Sequence, residues 1–201
     1  AEQPAPLMWR VASTGMVRRR LLPAIFICAL TSSVVVQPGA ASAAGAASAG
    51  VVTGTPPEAN KDHWHAAFGI WNCGTWLDPV TAADDPIGIH THGDGLIHVH
   101  PFVEQAAGKN AILARFFDVT KVKVSASEVS IAGRPTIKAG TQCKGEKSVI
   151  RTLVWPSIKA AKPKVITGDP GATPLRNNEV IAVVIGGPKA DPGQPPSVAE
   201  L

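Results

Sequence analysis

The chain has 201 residues, 45% of them hydrophobic and 17% charged, with 19 Lys and Arg against 15 Asp and Glu. The basic excess is local: Arg10, Arg18, Arg19 and Arg20 precede residue 50 against the single acidic Glu2, leaving 15 basic and 14 acidic residues beyond it. That near balance carries no basic stripe to track a phosphate backbone, which excludes nucleic acid as a partner, and the chain has neither a Gly-rich phosphate loop nor a nucleophile elbow.

In chain order, residues 1–15 read as a leader extension and residues 16–49 as a signal peptide or membrane anchor. Arg18, Arg19 and Arg20 precede the uncharged, mostly apolar stretch Leu21–Val36, and Ala41-Ser42-Ala43 and Ala47-Ser48-Ala49 both suit a cleavage site. The apolar stretch contains Pro23 and is shorter than the about 20 residues of a spanning helix. If retained, it would attach the chain to a membrane through residues 21–36. Either outcome predicts an extracytoplasmic protein, secreted or anchored to the outer face of the cell membrane. A flexible Gly/Thr/Pro linker follows at 50–61. The globular domain is expected over 62–185, and the Pro/Gly-rich tail at 186–201 is expected to be disordered or extended.

Cys28 lies inside the apolar stretch behind Ile27, which lacks the small residue of an acylation box. Cys73 and Cys143 are then a single pair in an oxidising compartment, and a disulfide between them is predicted. The rival role, thiolate ligation, lacks a C-x-x-C partner for either residue.

Within the domain, His63 to Trp71 alternates as a first strand. Ile87 to Pro101 reads as a hairpin turning at Gly93-Asp94-Gly95. Asn110 is placed to cap a helix running to about Val119, with Ile112, Leu113, Phe116 and Phe117 on one face. Val122–Ile131 is a weaker strand, and Arg151–Trp155 and Glu179–Ile185 are short apolar strands. This order predicts an α+β fold: a small mixed or antiparallel sheet with one main helix, with an ending like that of β-grasp domains.

All six histidines fall between residues 63 and 100, as the pairs His63/His65, His90/His92 and His98/His100. A spacing of two puts both imidazoles of a pair on one face of a strand. Across the hairpin, either His92 faces His98 with His90 opposite His100, or His90 faces His98 with His92 and His100 diagonal to it. Both registers gather four imidazoles on one face and leave Ile89, Ile97 and Val99 on the other. If the first strand pairs alongside, His63 and His65 join them. Imidazole nitrogens grouped this way suit a tetrahedral zinc or a tetragonal Cu(II) site. Asp62, Asp84, Asp85 and Asp94 are near enough in sequence to fix the ring tautomers. The methionines, Met8 and Met16 alone, argue against a methionine-rich Cu(I) carrier. Trp64, Trp71, Trp76 and Trp155 are read as core or rim packing.

Three segments together resemble a group of uncharacterised exported or single-pass membrane proteins frequent in actinobacteria. They are His63-Trp64-His65-Ala66-Ala67, the run His90-Thr91-His92-Gly93-Asp94-Gly95-Leu96-Ile97-His98-Val99-His100, and Leu113-Ala114-Arg115-Phe116-Phe117-Asp118. That group carries H-x-H-A, H-T-H-x-x-G-x-I-H and L-x-x-F-F-D motifs, and its terminal segment is similar to Leu175–Ile185; some of its members have another residue where His100 stands. The resemblance covers most of residues 62–185. It implies the domain limits and an envelope location, and no activity.

Three readings follow from the residues. The first is a metal-binding envelope protein that scavenges, buffers or delivers zinc or copper. The second is a metalloenzyme with an open coordination position and Asp94 or Glu104 as general base. The third is a non-catalytic module whose histidines set a pH-dependent contact. Oligomeric state is not legible in these residues.

Overall fold

Strand β1 (Trp64–Asn72) alternates as its sequence requires: Trp64, Ala66, Phe68 and Ile70 are buried on one side, and His65 and Ala67 turn to the other. The computed structural model to which it belongs describes residues 56–201. The leader extension, the signal or anchor at 16–49, the attachment through 21–36 and residues 50–55 of the linker lie outside the described residues. Among the described residues, no helix is long and apolar enough to cross a membrane.

After a tight turn at Cys73-Gly74, β1 folds back onto β2 (Thr75–Trp76). The His-rich hairpin supplies β3 (Ile89–His90) and β4 (Leu96–Val99), and the main helix α1 spans Leu113–Thr120. Next, β5 (Lys123–Val124), β6 (Glu128–Ser130) and β7 (Ile137–Lys138) make a small sheet of their own, followed by the paired β8 (Gln142–Cys143) and β9 (Glu146–Lys147). The chain then returns through β10 (Val149–Trp155), β11 (Lys164–Ile166) and β12 (Val180–Gly186).

The main sheet runs β11-β10-β12-β1-β4-β3, with β2 attached to β1. Its first and last long strands, β1 and β12, lie side by side and parallel, and every other pair is antiparallel. This α+β sheet has a central parallel pair, and the main helix follows the β3–β4 hairpin. Helix α1 covers one face. Phe68 meets Phe116 and Phe117 edge to face at centroid distances of 5.1 and 6.1 Å, and Ile89, Ile97, Val99, Ile181, Val183 and Ile185 complete that core. Each such fully buried side chain contributes about 2 kcal/mol of apolar transfer.

The structure departs from the sequence reading in three places. Asn110 does not cap α1: it ends a 3-10 turn and donates its side-chain amide to the Glu104 carbonyl. The first amide of α1 is satisfied instead by the Thr173 carbonyl, 2.8 Å away, so a long-range contact replaces the local cap. The stretch Val122–Ile131 is a hairpin rather than one strand, because Ser125 Oγ accepts from the amides of Ser127 and Glu128 and closes a turn. The tail is ordered rather than disordered or extended. Pro196–Glu200 forms a 3-10 turn, and Val198 and Leu201 pack on a second apolar cluster of Ala67, Leu96, Leu153, Trp155, Val180, Ala182 and Val184. That cluster sits on the sheet face opposite α1.

Cys73 and Cys143 are joined by a disulfide with Cα atoms 5.1 Å apart, as predicted, which ties β8 to the turn after β1. Trp64 and Trp155 are buried, and Trp71 and Trp76 pack at the rim of the second cluster.

Candidate metal centre

The hairpin adopts the register in which His90 faces His98. Ile89, Ile97 and Val99 are then fully buried against α1, and the imidazoles point away from it. On the other side of β4, β1 pairs with His65 opposite His98 and Trp64 opposite Val99. His63, one residue before β1, therefore lies beside His100, with ring centroids 5.1 Å apart. All six histidines share one face of the three neighbouring strands β1, β4 and β3. Successive rings are in contact: His65 with His98 at 4.6 Å, His98 with His92 at 4.5 Å, His92 with His90 at 4.7 Å and His90 with His100 at 4.9 Å. Exposure is graded across the patch: His63 and His92 are exposed, His65, His98 and His100 half-buried, and His90 buried.

Three sets of side chains present ligand atoms lying within 4.8 Å of one another: His63/His65/His98, His90/His92/His98 and Asp85/His90/His100. Each set offers three donors, the number that catalytic zinc sites take from protein. In the middle set, the Nε2 atoms of His90 and His92 lie 3.2 Å apart.

Two carboxylates serve the cluster. Asp94 Oδ2 accepts from His98 Nε2 at 2.8 Å, which fixes that ring's tautomer and leaves Nδ1 as its free lone pair. Asp94 is held in turn by the Leu96 amide at 2.9 Å and the Thr91 hydroxyl at 3.3 Å. Burial opposes ionisation of Asp94, but the Leu96 amide and His98 outweigh it and hold its pKa below the usual value. Asp85 Oδ2 lies 3.0 Å from His90 Nδ1 and 3.6 Å from His100 Nε2. The first approach is not a hydrogen bond: the buried Nδ1 of His90 has no partner aligned with it. The remaining oxygen, Asp85 Oδ1, accepts from the Gly88 amide at 2.6 Å. Gly88 itself has φ +82°, and a Cβ there would fall 2.3 Å from the His100 carbonyl oxygen, so only glycine lets β3 approach β4 this closely.

Among the described residues, Asp62 and Asp84 pair with no histidine; Asp62 accepts from the Glu58 amide in its own loop. Glu104 begins a 3-10 turn and joins none of the three sets. Asp85, by contrast, is a candidate ligand and not only a tautomer-fixing neighbour. Its sequence signal was a carboxylate five residues ahead of His90, at the mouth of the hairpin. A further element, the Asn177-Asn178 turn, pins β1 at the site: Asn178 donates its amide to the His65 carbonyl at 2.8 Å, and Asn177 Oδ1 accepts from the His65 amide at 3.4 Å.

Burial lowers the pKa of His65, and the neighbouring His98 and His63 lower it further. Burial also lowers that of His90; Asp85 works against the shift, and His100, His92 and His98 reinforce it. Burial and crowding therefore favour neutral imidazole at His65 and His90, the form that binds metal. No protein-family model, no curated protein and no solved structure matches the chain, so the chemistry of this face rests on its own residues.

Proposed function

We propose that this chain is an extracytoplasmic metal-binding protein that uses its histidine face to scavenge, buffer or deliver zinc or copper. The carrying observation is the convergence of six histidines and Asp85 into three overlapping donor sets, with atoms within 4.8 Å in each. Imidazole donors suit both ions, and the lack of any methionine after Met16 speaks against a Cu(I)-thioether carrier. The extracytoplasmic reading draws support from the signal-like residues 16–49, the Cys73–Cys143 disulfide and the resemblance of the motifs to exported proteins. The graded exposure favours exchange with solution, because an ion can reach His63 or His92 before it meets the buried His90.

One observation favours a metalloenzyme as the second reading. A cleft of about 220 Å³, walled by Phe68, Trp76, Leu77 and Val80, reaches Asp94, the carboxylate that orients His98. A small molecule there would lie beside Asp94, which touches the candidate ligand His98.

The test is elemental analysis of the untagged chain before and after mild chelation, repeated with the His90→Ala, His98→Ala double variant. His90 and His98 between them belong to all three sets, so the double variant leaves none complete. At least one zinc or copper ion per chain is expected in the parent and none in the variant, with circular dichroism unchanged. A parent that neither carries nor acquires metal would sink the proposal.

A further inference from the structure

We infer that the face holds two divalent first-row ions at once, one in the His63/His65/His98 set and the other in the Asp85/His90/His100 set. The inference rests on the metal-binding reading and adds its stoichiometry and donor chemistry: three nitrogens at one site, two nitrogens and a carboxylate oxygen at the other.

The overlap of the sets carries the argument. The middle set, His90/His92/His98, borrows His90 from one neighbour and His98 from the other, whereas the two outer sets share no residue. A neutral imidazole has one lone pair, so it serves one ion. The face therefore has two filled states: one ion in the middle, or two ions in the outer sets.

Three local features favour the second state. First, the middle pair is satisfied without an ion, because one of the His90 and His92 Nε2 atoms can donate to the other across 3.2 Å. Second, the outer pair is not. In either tautomer the buried His90 Nδ1 lies 3.0 Å from the Asp85 carboxylate and makes no hydrogen bond. A buried ring nitrogen and a carboxylate brought this close without a hydrogen bond is an arrangement that a shared cation resolves. The separations of 3.0 and 3.6 Å from Asp85 Oδ2 to the two ring nitrogens bracket the about 3.4 Å between ligands of a tetrahedral ion with bonds near 2.1 Å. Third, charge is divided evenly. Asp85 belongs to one outer set, and Asp94 is bonded to His98 in the other, so each dication has its own carboxylate to offset repulsion between them. The second ligand set also differs in kind, because its carboxylate widens the range of acceptable ions beyond those that prefer nitrogen alone.

His92 separates the two states, since it belongs only to the middle set. The full chain is titrated with zinc and the bound ions are counted by native mass spectrometry. The parent is expected to saturate at two ions. His92→Ala keeps two, the His63→Ala, His65→Ala double variant falls to one, and Asp85→Asn falls to one. Asparagine retains the Oδ1 acceptor for the Gly88 amide, so folding is preserved, and circular dichroism verifies this. Saturation of the parent at one ion that His92→Ala removes would overturn the two-ion inference and leave metal binding intact. Two ions persisting in Asp85→Asn would also overturn it. A parent that takes no zinc overturns both readings.

Discussion

Glu179 offers the sharpest energetic prediction in the molecule. It precedes β12, is fully buried, and its Oε1 accepts from the Arg176 amide at 2.7 Å, while Oε2 is buried with no hydrogen-bond partner. Burial raises its pKa from 4.5 to about 8, against the opposing pull of the Arg176 amide and charge. The folded chain thus holds a proton that the unfolded chain releases above pH 4.5. Where the folded state binds more protons, stability falls as pH rises; here the fall begins near 4.5 and ends near 8. At about 1.4 kcal/mol per pH unit, the loss between pH 5.5 and 7.5 approaches about 3 kcal/mol, a ceiling that relaxation around the buried charge reduces. Glu179→Gln keeps the acceptor for Arg176 and imitates the protonated acid. Urea unfolding at pH 5.5 and 7.5 should show the variant gaining stability relative to the parent at the higher pH, by at least about 1 kcal/mol. His65 and His90, whose lowered pKa values make stability rise with pH near and below the ordinary histidine value of 6.5, contribute equally to both proteins and cancel in the difference. A parent and variant with parallel pH profiles would refute the buried-acid argument.

The other predictions concern the staple, the hairpin, the core and the ligands. Cys73→Ser opens a loop whose ends are 70 residues apart and should cost about 4 kcal/mol in the chain-entropy treatment, read as a lower urea midpoint, with zinc stoichiometry unchanged because neither sulfur is in a donor set. Gly88→Ala should destabilise by about 2 kcal/mol or more and weaken zinc binding together, since the new Cβ forces β3 away from His100 and displaces Asp85; a variant with parental zinc affinity would detach Asp85 from the site. Phe116→Ala should cost about 3–5 kcal/mol without changing zinc stoichiometry, because Phe116 lies under α1 on the face away from the histidines. Zinc affinity should fall as pH drops below about 6.5, where imidazoles protonate; the lowered pKa values of His65 and His90 keep those two ligands available further into the acid range than ordinary histidines, and a titration across pH 5–7 measures the proton release.

The main elements were legible because their signals are local. Alternation in β1, the glycine turn between β3 and β4, the apolar run of β12 and the Leu113/Phe116/Phe117 stripe of α1 each depend on a few consecutive residues. Parity alone placed His90, His92, His98 and His100 on one face, whichever of the two registers formed. Parity could not bring in His63 and His65. They are odd-numbered and their partners even, and the pairing of His65 with His98 is fixed by a β1–β4 register that spans more than twenty intervening residues, β2 and β3 among them. The cap of α1 was misplaced for a related reason: Thr173, which satisfies its first amide, is remote in sequence. The two-residue strands β7–β9 were invisible because so short a segment carries no period, and Asp85 becomes a candidate ligand only when the Gly88 amide holds it against His90.

Among the described residues, the tail covers one half of a sheet face whose other half carries the histidines. The face opposite α1 is not uniform: over β10, β12 and the later part of β1 it is apolar, with Leu153, Trp155, Val180, Ala182 and Val184 buried, and over β4, β3 and the start of β1 it is imidazole. The apolar half needs a cover, and Val198, Leu201 and Trp76 supply it. Gly95 marks one limit of that cover, because a Cβ there would lie 2.6 Å from the Ser197 Cβ, and Ser197 Oγ donates to the Phe68 carbonyl at 3.2 Å. The tail therefore reaches the turn of the hairpin, where Asp94 stands. Covering the polar half as well would desolvate six titratable rings without supplying partners for them, at several kcal/mol. Among the described residues, a sheet face split in this way buries its apolar half for stability and leaves His63 and His92 exposed beside the half-buried His65, His98 and His100.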